Sequence, residues 1–68
     1  MGDRIYKITE ITGSSPAGID QAIQAAVERA ARTIHNIGWF QVVDTRGVVE
    51  NGKVAYWQVT IKLGFTLD

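Results

Sequence analysis

The sequence has no cysteine, one histidine, one proline and one methionine among its 68 residues. Without cysteine there can be no disulfide and no thiolate metal site, and nothing marks an oxidising compartment. A single histidine, His35, cannot build a zinc site without several carboxylate partners, so no metal is expected. Neither sign of charge dominates: seven basic residues balance seven acidic ones, and they are interspersed. That lacks the basic stripe of a nucleic-acid binder and the basic amphipathic face of a membrane-surface helix. No run approaches the ~18 apolar residues of a transmembrane helix. The opening "MGDRIYKI" has no signal-peptide apolar stretch, and Tyr6 stands where a myristoylation signal wants Ser or Thr. The expectation is a soluble cytoplasmic protein with no nucleic-acid and no membrane partner. Catalytic signatures are missing too: there is no nucleophile elbow, phosphate-binding glycine loop or metal motif. Asp44 and Glu50 make no acid–base pair, because Glu50 borders a turn and the spacing is long. No catalytic residue is assigned, and an enzyme is not expected.

What is present is a chain that is 46% apolar and long enough for a single domain spanning 1–68. A domain of this size buries only roughly 60% of the surface of its unfolded chain, and its core contributes about 3–5 kcal/mol. Disulfides and metals being excluded, self-association is the support that remains.

Residues 4–12, "RIYKITEIT", are rich in β-branched and aromatic side chains and read as a strand. Gly13-Ser14-Ser15-Pro16 then punctuates the chain, with Ser15 suited to an N-cap and Pro16 to the first helical position. Ile19, Ile23, Ala26, Val27, Ala30 and Ile34 follow at helical spacing. Asp20 near the start and Arg29, Arg32 and His35 near the end complement the helix dipole, and Gly38 suits the C′ position. The spacing therefore predicts a helix over 16–37. Residues 39–50 and 53–67 read as a hairpin joined by Asn51-Gly52. The fold class is α+β with order β-α-β-β: a three-stranded antiparallel sheet, order β1-β3-β2, with one long helix packed on one face. The third strand can run antiparallel to both others and so sits between them.

A two-residue turn at Asn51-Gly52 sets Glu50 opposite Lys53 and fixes the register. Phe40, Val42 and Val48 then share a face with Leu63, Ile61, Val59, Trp57 and Ala55, and that apolar face is expected to meet the helix. The outer face carries Trp39, Gln41, Val43, Thr45, Gly47 and Val49 opposite Gly64, Lys62, Thr60, Gln58, Tyr56 and Val54. Its mixture of polar and large apolar residues marks it as the expected assembly surface. Trp39 and Gln58 share this face but stand six strand positions apart, about 20 Å at roughly 3.3 Å per residue. They can line one pocket only across a contact between two copies of the chain. A bulge would shift this register.

Trp39 reads either as a stacking platform for a planar ligand, with Gln58 supplying amide hydrogen bonds, or as an interface anchor. Arg46 beside Gly47 suits a phosphate or simply a solvated strand position. Trp57 reads as core and His35 as a surface residue complementing the dipole.

The segments "GSSPAGIDQAIQAAVERAARTI", "GWFQVVDTRGVVENG" and "YWQVTIKLGF", in this order and at this length, resemble the dodecins, a family of small flavoproteins. The resemblance implies a β-α-β-β fold assembled into a hollow spherical homododecamer, with flavins bound in pairs between subunits. It implies that Trp39 stacks on the isoalloxazine and Gln58 hydrogen-bonds its polar edge. Arg46 would contact the phosphate of FMN and Asp44 the ribityl chain, and Gly38, beside Trp39, is counted with these cofactor-binding positions. The chain departs from the family at Gly64-Phe65-Thr66-Leu67, where some bacterial members carry a second phosphate-facing arginine. That widens the expected cofactor from FMN to riboflavin or another flavin. Coenzyme A binds some bacterial members, but no motif carries it over. The implied role is flavin storage, buffering and photoprotection; the alternative is a purely structural self-assembling module with no flavin role.

Overall fold

A computed structural model describes residues 3–67. Its elements are β1 (Tyr6–Ser15), α1 (Ile19–Ala30), β2 (Ile37–Glu50) and β3 (Lys53–Thr66). The sheet has the expected order β1-β3-β2, and β3 is antiparallel to both neighbours. The hairpin turn forms as predicted: Asn51 and Gly52 have φ of 54° and 74°, and Glu50 pairs with Lys53. Two consecutive positive φ values match the right-handed twist of the strands they join.

The helix is shorter than 16–37 at both ends. Ser15 is not its N-cap but the last residue of β1, paired with Trp57. The Ser15 hydroxyl accepts a hydrogen bond from the Ala17 N–H at 3.0 Å, which turns the chain before Gly18. Gly18 occupies the N-cap with φ 152°, and no side chain caps the helix there. At the other end the Arg32 and Thr33 amides donate back to Arg29 O and Ala30 O at 3.2 and 3.1 Å, a tightened last turn. Asn36, with φ 66°, takes the left-handed position expected of Gly38. Gly38 is instead a strand residue, because Ile37 already pairs with Phe65. β1 likewise runs three residues past the expected Thr12, since Val59, Gln58 and Trp57 offer partners to Gly13, Ser14 and Ser15.

The core lies between α1 and the inner face of β3. Val59, Ile61 and Leu63 are fully buried beneath Ala22, Ala26 and Ala30, with Ile11, Ile19, Ile23, Val27, Ile34 and Ile37 packed around them. The three alanines recur every four residues and form a shallow ridge, which lets the helix come down close on the sheet. Gly13 completes that approach: a Cβ there would overlap the Ala22 carbonyl and stand 2.9 Å from the Ala26 Cβ.

The helix packs on β1 and β3. Phe40 and Val42, expected in the core, are therefore 47% and 43% exposed. Their side chains do point to the helix side, opposite Leu63 and Ile61, but α1 does not reach them. Val48, also expected on that face, pairs with Tyr56 and faces the other way. The expected burial of Phe40 and Val42 is thus corrected, since α1 does not cover β2 beyond Ile37, and Val48 is half-buried on the opposite face.

Gly13→Ala is expected to lower stability by about 1–3 kcal/mol through overpacking beneath the helix. Thermal melting followed by circular dichroism at fixed protein concentration measures it; an unchanged midpoint would contradict the close approach.

Candidate functional site

The outer face of the sheet carries the residues singled out in the sequence, and backbone register decides which of them meet. Trp39 pairs with Gly64 near the open end of the hairpin. Its indole lies against the Gly64 backbone so closely that a Cβ on Gly64 would overlap the ring and stand 2.7 Å from Cδ2. Glycine in a strand interior is weakening in general, but here it makes room for an aromatic ring from the neighbouring strand. With one face resting on Gly64, Trp39 retains 38% exposure on the remainder. The Tyr6 ring of β1 stands beside it, centroids 6.0 Å apart and tilted by 41°. Gly38 neighbours both: its Cα is the extra residue between the Ile37–Phe65 and Trp39–Gly64 pairs, and a Cβ there would touch Tyr6 Cε2 at 3.4 Å.

A second group of side chains lies further along the same face. The register is offset by one between Val42, paired with Ile61, and Asp44, paired with Thr60. Val43 is the extra residue of this β-bulge, and the side chains from Asp44 to Val48 change face before a second irregularity between Val48 and Val49 restores the register. Without the bulge Asp44 and Arg46 would point to the helix side. With it they join Gln58 and Thr60 on the outer face. The Arg46 guanidinium donates from Nη2 to Asp44 Oδ2 at 2.7 Å and to Thr60 Oγ1 at 3.3 Å, and from Nη1 to Gln58 Oε1 at 3.2 Å. The Thr60 hydroxyl is also 2.8 Å from that of Thr12, so the network spans all three strands. Thr45 and Gly47, expected on the outer face, are turned to the inner one opposite Val59 and Trp57. Trp57 lies on the helix side as expected, but it is only half-buried near the start of α1 and stands outside the core cluster.

The sequence thus places Trp39 and Gln58 on one face correctly, and keeps them apart: six residues of β3 separate Gln58 from Gly64. At roughly 3.3 Å per residue this is about 20 Å. The bulge adds Asp44 and Arg46 to the Gln58 end. Tyr6, Thr12, Thr60 and Gly64 were not singled out, although the alternation of β1 and β3 places all four on this face. Among the described residues no group of three or more His, Cys, Asp or Glu side chains could hold a metal ion, and no helix is long and apolar enough to cross a membrane.

A family model described as Dodecin matches residues 5–68. The chain belongs to the dodecin family. A dodecin of Thermus thermophilus is 38% identical over 65 residues, 96% of this chain and 94% of that protein. A solved dodecin from Streptomyces davaonensis is 49% identical and superposes with a TM-score of 0.94 over 98% of both chains. A Mycobacterium tuberculosis relative named calcium dodecin is 30% identical over 93% of this chain and 89% of its own. The chain is therefore a dodecin-type small ligand-binding domain.

Gly64→Ala is expected to lift the indole of Trp39 off the strand and shift tryptophan emission. Gly47→Ala, whose Cβ would stand 3.8 Å from Trp57, is expected to leave emission unchanged. Equal spectra for both variants would contradict the Trp39–Gly64 stack.

Proposed function

We propose that the chain is a flavin-binding storage and buffering protein that works as a homododecamer, holding FMN or riboflavin between subunits. The observation that carries this reading is the indole of Trp39, backed on one face by Gly64 and 38% exposed otherwise. An isoalloxazine offers a flat aromatic surface for such a ring and a polar edge for an amide. Gln58 supplies that amide and, being about 20 Å away along the sheet, meets the ligand from a neighbouring subunit. Asp44 and Arg46 flank Gln58 and face the ribityl and phosphate portion of the ligand; Gly38 leaves the approach to Trp39 open. Thr66 leaves no second arginine at the end of β3, so riboflavin as well as FMN fits the donor set.

The assembly is supported by the same geometry. Phe40, Val42, Val43 and Val49 are each more than 40% exposed on β2, a strand that α1 does not cover beyond Ile37. Exposed apolar surface on an edge strand is normally covered by another chain. A stacked indole close to the ring also quenches excited flavin by electron transfer, which suits a protective role in the cytoplasm. No residue is assigned an acid, base or nucleophilic role.

Titration of FMN or riboflavin with micromolar protein is expected to quench flavin fluorescence, and native mass is expected near twelve times the 7.5 kDa chain. Colourless protein with full assembly and no flavin response would favour the structural-module alternative. Trp39→Ala is expected to weaken binding roughly threefold to tenfold or more, since an aromatic stack contributes about 0.5–1.5 kcal/mol beyond area burial. Affinity equal to the parent's would remove Trp39 from the site.

A further inference from the structure

Arg46 is braced on three sides by its own chain: Asp44 Oδ2 at 2.7 Å, Gln58 Oε1 at 3.2 Å and Thr60 Oγ1 at 3.3 Å. A guanidinium has only donors, and a glutamine amide has one end that accepts and one that donates. The atom of Gln58 that faces Arg46 must therefore be the carbonyl oxygen, because the flipped amide would set N–H against N–H. This removes the usual freedom of a glutamine to present either end at no cost. Its Nε2 is left as the end directed away from Arg46.

We propose that Arg46 is a positioning residue that locks the Gln58 amide with its N–H donors toward the ligand, so that the site selects a planar edge of acceptors. Carbonyl oxygens and unprotonated ring nitrogens meet that requirement; an edge of N–H groups does not. The inference rests on the reading that Gln58 meets the ring of a bound flavin, and it specifies which kind of ring atom Gln58 meets. Asp44 supports the lock from the far side of the guanidinium, holding it by an ion pair over the strand. Thr60 supports it from β3, and the Thr60–Thr12 hydroxyl pair ties that support to β1. The bulge at Val43 is what makes the lock available, since it turns Arg46 to the face that Gln58 occupies. Three of the five guanidinium N–H groups are used in these bonds, which leaves two for a phosphate. Positioning and phosphate contact are therefore separable roles of one side chain.

Riboflavin, which has no phosphate, separates them experimentally. Riboflavin and FMN are titrated by fluorescence quenching into the parent protein, Arg46→Met, Arg46→Lys and Gln58→Glu, each checked for unchanged native mass. Positioning predicts that Arg46→Met weakens riboflavin about tenfold, as expected for loss of one charge-assisted hydrogen bond, and FMN by at least that factor because its phosphate contact is lost as well. Arg46→Lys, which keeps a donor for Gln58 Oε1, is expected to recover most of the riboflavin affinity. Gln58→Glu, ionised and without N–H groups, is expected to lose riboflavin as Arg46→Met does. If Arg46→Met weakens FMN alone, Arg46 only contacts the phosphate and the proposal is overturned. Parental affinity in Gln58→Glu would overturn it as well. A parent protein that quenches neither flavin would overturn the flavin reading itself, and this inference with it.

Discussion

One helix of 12 residues has to cover a sheet whose hairpin strands are 14 residues each. At about 1.5 Å per helical residue and 3.4 Å per strand residue, the helix spans about 18 Å against about 48 Å of hairpin. It settles over β1 and β3, where the alanine ridge and Gly13 allow the closest approach, and leaves β2 bare beyond Ile37. The resulting body measures 55 × 20 × 14 Å, elongated for its length. The rest follows from this mismatch. A chain so shaped retains Phe40 and Val42 as exposed apolar surface on one side and Trp39 on the other. Both sides of β2 thus present apolar surface that the chain itself does not cover.

Two local devices shape that outer face. At one end a glycine removes a side chain so that an indole can lie against backbone; Gly64 and Trp39 form one unit in which neither residue serves without the other. At the other end a bulge inserts Val43 and turns Asp44 and Arg46 from the helix side to the outer side. The side chains gathered there pair with one another: a carboxylate, a guanidinium, an amide and two hydroxyls in one network. The exposed Asp44–Arg46 ion pair adds little to stability in water. Its consequence is geometric, since it holds the guanidinium against Gln58.

Much of the fold was legible because it rests on local chemistry. Asn51-Gly52 demands a tight hairpin with two positive φ values, and that turn fixes which residues of β2 and β3 pair at both ends of the hairpin. Period-two alternation then separates Trp39 from Phe40. The helix was legible in its interior and misread at its ends. Ser15-Pro16 and Gly38 are good capping residues in isolation, but pairing with β3 draws Ser15 and Gly38 into strands. Burial was misread at Phe40 and Val42, because a period shows which side a residue faces and not whether anything lies over it.

For the candidate site, alternation made legible the shared face of Trp39 and Gln58 and the distance that keeps them from sharing a pocket within one chain. The sequence by itself determined the strand order, the hairpin turn and the face that holds Trp39 and Gln58, since each depends on a residue's own backbone preference or on alternation. Only the tertiary structure decided that Arg46 braces Gln58. Val42-Val43-Asp44 contains no glycine or proline to mark a bulge, and a one-residue slip costs or gains only through pairing with a distant strand. Neither that pairing nor the reach of the helix over the sheet is a local property.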